Sequence, residues 1–170
     1  MNAGAVLFDL GDTLFRLLPL ETASAYVRFA EVLAERTGLP PGQARDVAKS
    51  IGRALDNQSE RLYQDCSTAE PSVAATAEPL LSRFGADAAW LAGTLDHLLG
   101  ECDIARWDPP AGRAAQVRAF AEAGLRVAFV SNTRTPPALM RRRLREFGLL
   151  EQAHAALFSV ELGERKPGER

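Results

Sequence analysis

Cysteine, histidine and any apolar run of membrane length are scarce or missing in this chain, and each scarcity removes a class of function. Among 170 residues there are two cysteines and two histidines. Cys66 and Cys102 lie too far apart for a C-x-x-C redox or zinc pair, so neither a disulfide framework nor a metal knuckle is suggested, and a reducing cytoplasm is the natural home. His97 and His154 build no metal pair; packing or surface roles are the simpler reading of both. No window reaches the apolar length of a membrane span, and Asp9 and Asp12 interrupt what would be the apolar region of an export signal. The chain is expected to be neither exported nor anchored. Basic residues are not in excess, since the formal net charge is -2, which leaves no general electrostatic case for nucleic acid or an anionic membrane. Repeats and low-complexity tracts are absent.

What is present is an ordinary globular composition, 46% hydrophobic and 25% charged, enough for one sizeable core or a core with a small inserted module. The apolar run Ala5 to Leu10 reads as a parallel strand buried on both faces, with Asp9 delivered to its end and Asp12 and Thr13 just beyond. The texture then turns alanine-rich and charge-studded. Helical spacing places Ala23, Val27, Ala30 and Leu33 on a first helix stopped by Gly38, and Val47, Ile51 and Leu55 on one face of a second that begins at Pro41. The apolar period weakens between residues 57 and 72, and a further helix ending near Gly85 is compromised by Pro79. Asp87 suits the N-cap of a helix with Leu91, Leu95 and Leu98 inward and Gly100 as its exit. From Trp107 the pattern alternates helix and strand: a helix to Gly124, a buried strand over 125–130 ending in Ser131, Asn132 and Thr133, a helix from Pro136 to Gly148, and a short strand over 155–160. Such alternation implies a parallel sheet with right-handed crossovers. The fold class is therefore α/β, a Rossmann-like parallel core of residues 1–15 and 106–170, with a helical insert over 16–105. Trp90 and Trp107 are expected to pack in the insert and at the return crossing, and Arg141, Arg142 and Arg143 to form a solvated helix face.

Two apolar strands thus end in polar clusters, and a third is followed by Lys166-Pro167. A carboxylate attacking phosphorus needs a dication to offset the repulsion of two anions, hydroxyl and amide donors for the phosphoryl oxygens, and a cation for developing charge. The order of VLFDLGDTL, a helical insert, VAFVSNTR and ELGERKP resembles the haloacid dehalogenase (HAD) superfamily of aspartate-nucleophile hydrolases, in the subgroup with a helical cap inserted after the first motif. The resemblance implies a magnesium-dependent phosphatase acting on a small phosphorylated metabolite through an aspartyl-phosphate. It implies Asp9 as nucleophile and Mg²⁺ ligand, the Gly11 carbonyl as a second ligand, and Thr13 as support for the loop. Ser131, with the backbone N–H groups of Asn132 and Thr133, would bind phosphate. Lys166 would pair with both nucleophile and phosphoryl group.

Two departures accompany the match. Most phosphatases of the family carry an acid two residues after the nucleophile, where this chain has Gly11; Asp12 stands one residue late, and a turn-stabilising role suits it as well as acid/base work. The family also places a further strand and an acidic motif after the lysine, whereas this sequence ends at Arg170. A chain truncated there would have an incomplete magnesium site and an exposed apolar edge at residues 5–10, open to self-association. Two other readings follow: a non-catalytic relative that binds phosphate or is completed by a partner, and a 2-haloacid dehalogenase in which Asp9 attacks carbon without magnesium.

Overall fold

The computed structural model describes residues 4–166. Strand β1, Ala5–Phe8, pairs in parallel with β4, Arg126–Ser131, which pairs in parallel with β5, Ala155–Phe158, giving the order β1-β4-β5. The parallel α/β core is as expected. Val127, Phe129 and Phe158 are fully buried, each stabilising the core by about 1.5–3 kcal/mol relative to an exposed side chain. Helix α5, Arg113–Glu122, turns Val117 onto this layer, and α6, Pro137–Glu146, contributes Leu139, Met140 and Leu144. The third strand is shorter than the spacing predicts: at Ser159 the chain turns into a helical turn, Ser159–Leu162 (α7).

β1 departs from the doubly covered strand that its apolar run predicts. Leu7 is 67% exposed, and among the described residues the strand has a partner on one edge only. The run is apolar, but among the described residues nothing covers its Leu7 side. Val6 and Phe8 face the core; Phe8 meets Phe129 and, edge-on, Phe120.

The insert begins and ends at a two-stranded crossing, β2 (Arg16–Leu17) antiparallel to β3 (Trp107–Asp108), with an Arg16–Asp108 ion pair across it. Trp107 is buried there against Phe15, at 5.2 Å between ring centres. Between the crossings lie four α-helices, α1, Ala23–Thr37; α2, Pro41–Gln64; α3, Val73–Leu81; and α4, Ala88–Ala105, with a 3₁₀ segment, Ser82–Asp87, joining the last two. They close on a hydrophobic cluster of their own, centred on Phe29, Leu33, Ile51, Leu81, Leu91 and Leu95. No described helix is long and apolar enough to cross a membrane.

Several local expectations shift in three dimensions. Gly38 does end α1, at φ 71° with its amide on the Ala34 carbonyl, but the buried face is Ala25, Phe29, Ala30 and Leu33, leaving Val27 half exposed. Asp87 sits at the start of α4 without capping it; its carboxylate instead receives both Nε and Nη2 of Arg36 at 3.0 and 2.8 Å. Trp90 is 52% exposed beneath that same guanidinium rather than packed in the insert. Gly100 is not an exit. Helix α4 runs through it to Ala105, and a Cβ there would stand 2.7 Å from both Leu139 Cδ1 and Pro136 Cδ. The glycine lets the insert's last helix lie against the start of α6. One arginine of α6 serves the same seam, Arg142, which makes a two-pronged pair with Glu101 of α4 at 2.9 and 2.7 Å; Arg141 instead reaches Glu161 of α7 within the core. Arg142 holds the Glu101 carboxyl below the usual range by hydrogen bonding, against the opposing effect of burial.

Candidate active site

All three parallel strands deliver their carboxyl ends to one rim, the place where open α/β sheets bind ligands. Phe8 pairs with Phe129 and Ser131 with Phe158, so Asp9, Ser131 and the turn after β5 emerge side by side. The loop after β1 is tightly wound. The Leu10 carbonyl accepts the amides of Thr13, Leu14 and Phe15, and the buried Leu10, Leu14 and Phe15 side chains pin the turn to the core. Asp12 sits in the left-handed region at φ 54°, and its Oδ1 accepts the Leu17 amide at 3.2 Å. Its carboxylate is thereby committed to the turn.

Asp9 itself is held at both oxygens. Thr13 Oγ1 donates to Oδ2 at 3.0 Å, and Lys166 Nζ contacts Oδ1 while also donating to the Val130 carbonyl at 2.9 Å. Lys166, 157 positions away in sequence, is brought there by Asn132: the Asn132 Oδ1 accepts the lysine amide at 2.7 Å, and its Nδ2 donates to the lysine carbonyl at 3.0 Å. Ser131 is only 4% exposed, yet it lines the cavity, and among the described residues its hydroxyl has no partner. Thr133 differs from expectation. Its amide donates to Ser159 Oγ at 2.7 Å and its hydroxyl accepts the Thr135 amide at 3.0 Å, so that backbone N–H is already committed within the protein. The structure thus brings Asp9, Thr13, Ser131, Asn132 and Lys166 to one place and turns Asp12 and the Thr133 amide elsewhere. Gly11 lines the cavity but carries no side chain.

The cavity between this rim and the insert holds about 660 Å³. Its far wall comes from α1, α2 and α4 and carries Tyr26, Asp56, Ser59 and Asp96; Arg134 of the core donates to Ser59 Oγ at 2.9 Å across it. Burial, then the nearby Asp56 carboxylate, raises the Tyr26 phenol, with Arg134 opposing. Burial raises Asp96 to about 6, His97 opposing, and its Oδ1 has no hydrogen-bond partner among the described residues. At the hinge end, Asp103 accepts from Arg106 Nε at 2.8 Å and from Thr135 Oγ1 at 2.5 Å, tying α4 to the turn after β4. Sequence pattern gave no warning of Asp103, Ser159 or Glu70, which contacts Ser159 from the insert. Arg134 lies within the VAFVSNTR motif, but only the fold shows that it bridges to α2.

Magnesium, which the resemblance implies, would find the Asp9 carboxylate and the carbonyl of cavity-lining Gly11. A hard dication takes about six oxygen ligands, and both Asp9 oxygens already carry protein donors. The described residues contain no group of three or more His, Cys, Asp or Glu placed to hold a metal ion. By themselves they do not make a magnesium centre.

No protein-family model and no curated protein matches this sequence. Solved structures that align with it at probability 1.00 include proteins described as HAD hydrolases or phosphatases and as dehalogenases. They include a Bacillus subtilis HAD-hydrolase bound to magnesium (20% identity, 99% of this chain and 68% of that one, TM-score 0.41) and an L-2-haloacid dehalogenase from Xanthobacter autotrophicus with chloropropionic acid covalently bound (18%, 97% and 60%, 0.45). A third is a HAD phosphatase from Thermococcus onnurineus (17%, 93% and 63%, 0.42). The chain spans between 60% and 68% of the length of these proteins.

Proposed function

We propose that the chain is the core and helical cap of a HAD-superfamily hydrolase, a phosphoric monoester hydrolase acting on a small phosphorylated metabolite. The observation that supports this most directly is Asp9, held between Thr13 and Lys166 beside the Ser131 hydroxyl, which has no partner among the described residues, on the wall of one cavity. On this reading an Asp9 oxygen attacks phosphorus and the bond from phosphorus to the ester oxygen breaks. The alcohol leaves with a proton drawn from water. A second water then attacks the aspartyl-phosphate, releasing inorganic phosphate and restoring the carboxylate. Lys166 balances charge on the phosphoryl oxygens, and Ser131 Oγ and the Asn132 amide donate to them. The Thr13 hydroxyl fixes the nucleophile's orientation. Closure of residues 16–105 over residues 1–15 and 106–170 would exclude water until hydrolysis.

With no acid at Gly11 and Asp12 bound to Leu17, ester substrates whose leaving group needs a proton should lose about 10²- to 10⁴-fold relative to a site that has one. Aryl and acyl phosphates are favoured accordingly. The same two features support a second reading, dehalogenation of a 2-haloacid, because a halide leaves without a proton and the attack on carbon uses no metal. Cys66 and Cys102, both free thiols, suit a reducing compartment such as the cytoplasm.

The deciding experiment measures turnover of p-nitrophenyl phosphate with and without Mg²⁺, and chloride release from 2-chloropropionate, by the wild type and Asp9→Asn. Phosphate release that Asp9→Asn abolishes supports the phosphatase. Chloride release without magnesium supports the dehalogenase, and phosphate release that survives Asp9→Asn overturns the assignment of the nucleophile.

A further inference from the structure

The segment between α2 and α3 of the insert lies as a short antiparallel partner against the residues that lead into Lys166. Ala69 bridges Glu164, the Glu70 amide donates to the Gly163 carbonyl at 3.1 Å, and the Arg165 amide donates to the Thr68 carbonyl at 2.5 Å. Glu70 then drives its side chain into the core. It is 6% exposed; its Oε2 accepts from Ser159 Oγ at 3.0 Å and stands 3.2 Å from Arg165 Nε. Ser159, 3% exposed, is the residue whose Oγ accepts the Thr133 amide.

A carboxylate buried to this degree costs stability unless it is both ion-paired and hydrogen-bonded, and here it is both. Each of those partners belongs to the core, none to the insert that carries Glu70. Ser159 has one hydroxyl hydrogen and two acceptors in reach, Glu70 Oε2 at 3.0 Å and the Thr133 carbonyl at 3.1 Å; the charged carboxylate makes the stronger bond, and the Oγ lone pairs then face the Thr133 amide. Arg165 is the residue immediately before Lys166. Through these two contacts one carboxylate from the insert holds both loops of the rim: the turn after β4 and the segment that presents the lysine.

We propose that Glu70 is a positioning residue that makes the Asp9–Lys166 contact depend on the insert being seated. Lys166 itself is held from the core side by Asn132 and the Val130 carbonyl, while residues 68–70 of the insert hold the three residues that lead into it, so lifting the insert frees that approach. Catalysis is thereby coupled to the closed arrangement. The inference rests on the phosphoryl-transfer reading for its kinetic arm, while its structural arm stands without it.

The test compares Glu70→Gln, Arg165→Met and the double variant with the wild type, using p-nitrophenyl phosphate for kinetics and amide hydrogen exchange over residues 131–135 and 159–166. Glu70→Gln preserves shape and a hydrogen bond to Ser159 while removing the ion pair. Each single variant is expected to lower kcat about 10-fold with KM nearly unchanged, because sub-ångström displacement of a reacting group costs up to about 10²-fold. The double variant should be no worse than the poorer single one, since both remove the same link. Exchange in both segments should quicken. Additive losses, an unchanged kcat in both singles, or wild-type exchange rates would overturn the proposal. Should Glu70→Gln fail to fold, Arg165→Met, altered at the more exposed partner, gives the same two readouts. If the wild type shows no Asp9-dependent turnover, the phosphatase reading fails and the exchange pattern alone decides the role of Glu70.

Discussion

Asn132 grips the backbone of Lys166 in both directions, accepting its amide at 2.7 Å and donating to its carbonyl at 3.0 Å. This exchange matches two edges of a peptide with the two ends of one carboxamide, so it fixes where the lysine side chain starts. Replacing Asn132 with Ala removes both bonds and lets the ammonium drift from Asp9. The expected outcome is a loss of about 10- to 10²-fold in kcat with a smaller change in KM, measured with an aryl phosphate. Wild-type kcat in Asn132→Ala would show that the lysine is placed by other contacts.

The neighbouring acid tells a different story. Asp12 occupies a left-handed backbone position and caps the Leu17 amide, so its substitution should be read in stability and not in rate. Asp12→Ala is expected to cost about 1–2 kcal/mol, from the positive φ and the lost hydrogen bond together, as measured by urea denaturation. Asp12→Asn keeps the bond and the conformation. It should retain turnover within about 3-fold, against the 10²- to 10⁴-fold that loss of a general acid would produce. A drop of the latter size would return Asp12 to acid/base chemistry.

Gly100 marks the seam between insert and core. Its missing Cβ would meet the Leu139 methyl and the Pro136 ring at 2.7 Å, and the ring has little room to yield. Gly100→Ala is expected to destabilise the chain by about 1–3 kcal/mol despite alanine's better helix propensity. A stabilised variant, seen as a raised urea midpoint, would mean that α4 and α6 separate readily in solution.

Asp96 gives the chain a pH dependence of definite sign. Its folded pKa is raised to about 6 by burial, above an ordinary value of 3.8, so the folded state holds a proton that the unfolded state has released. Stability from this group is therefore present below about pH 4 and is lost as pH rises through about 6. Asp96→Asn removes the cost of a buried charge. It should stabilise the protein at pH 7.5, by on the order of 1 kcal/mol given the partial exposure of the site, and by little at pH 4. Thermal melts of both proteins at the two pH values test this, and equal gains at both would exclude the ionisation of Asp96 as the cause.

The readable part of the fold was the part encoded in period and punctuation. The inward faces of Ile51 and Leu55 on α2 and of Leu91, Leu95 and Leu98 on α4 followed from helical spacing, and Gly38 stopped α1 because only a residue without Cβ takes φ 71° freely. Capping was less legible. Asp87 has the right identity and place for an N-cap, yet the Arg36 guanidinium, supplied by α1, outcompetes the backbone amides.

For the site, the sequence by itself determined the place of Asp9 and its near neighbours. An apolar run that enters a parallel sheet carries its polar terminus to the carboxyl end of a strand, even where one face stays open as at Leu7, and that puts Asp9, Thr13 and Ser131 at one rim. It could not determine which polar groups would spend themselves on the protein. Thr133 and Asp12 have the chemistry to serve a ligand, but the Ser159 hydroxyl and the Leu17 amide reach them in the folded chain. The tertiary structure alone decided the link from Glu70 to Ser159 and Arg165, because a buried carboxylate is stable only where partners from distant segments meet it. Hydrophobic burial is written locally along the chain, residue by residue, whereas the pairing of polar groups depends on which segments the fold brings within hydrogen-bond reach.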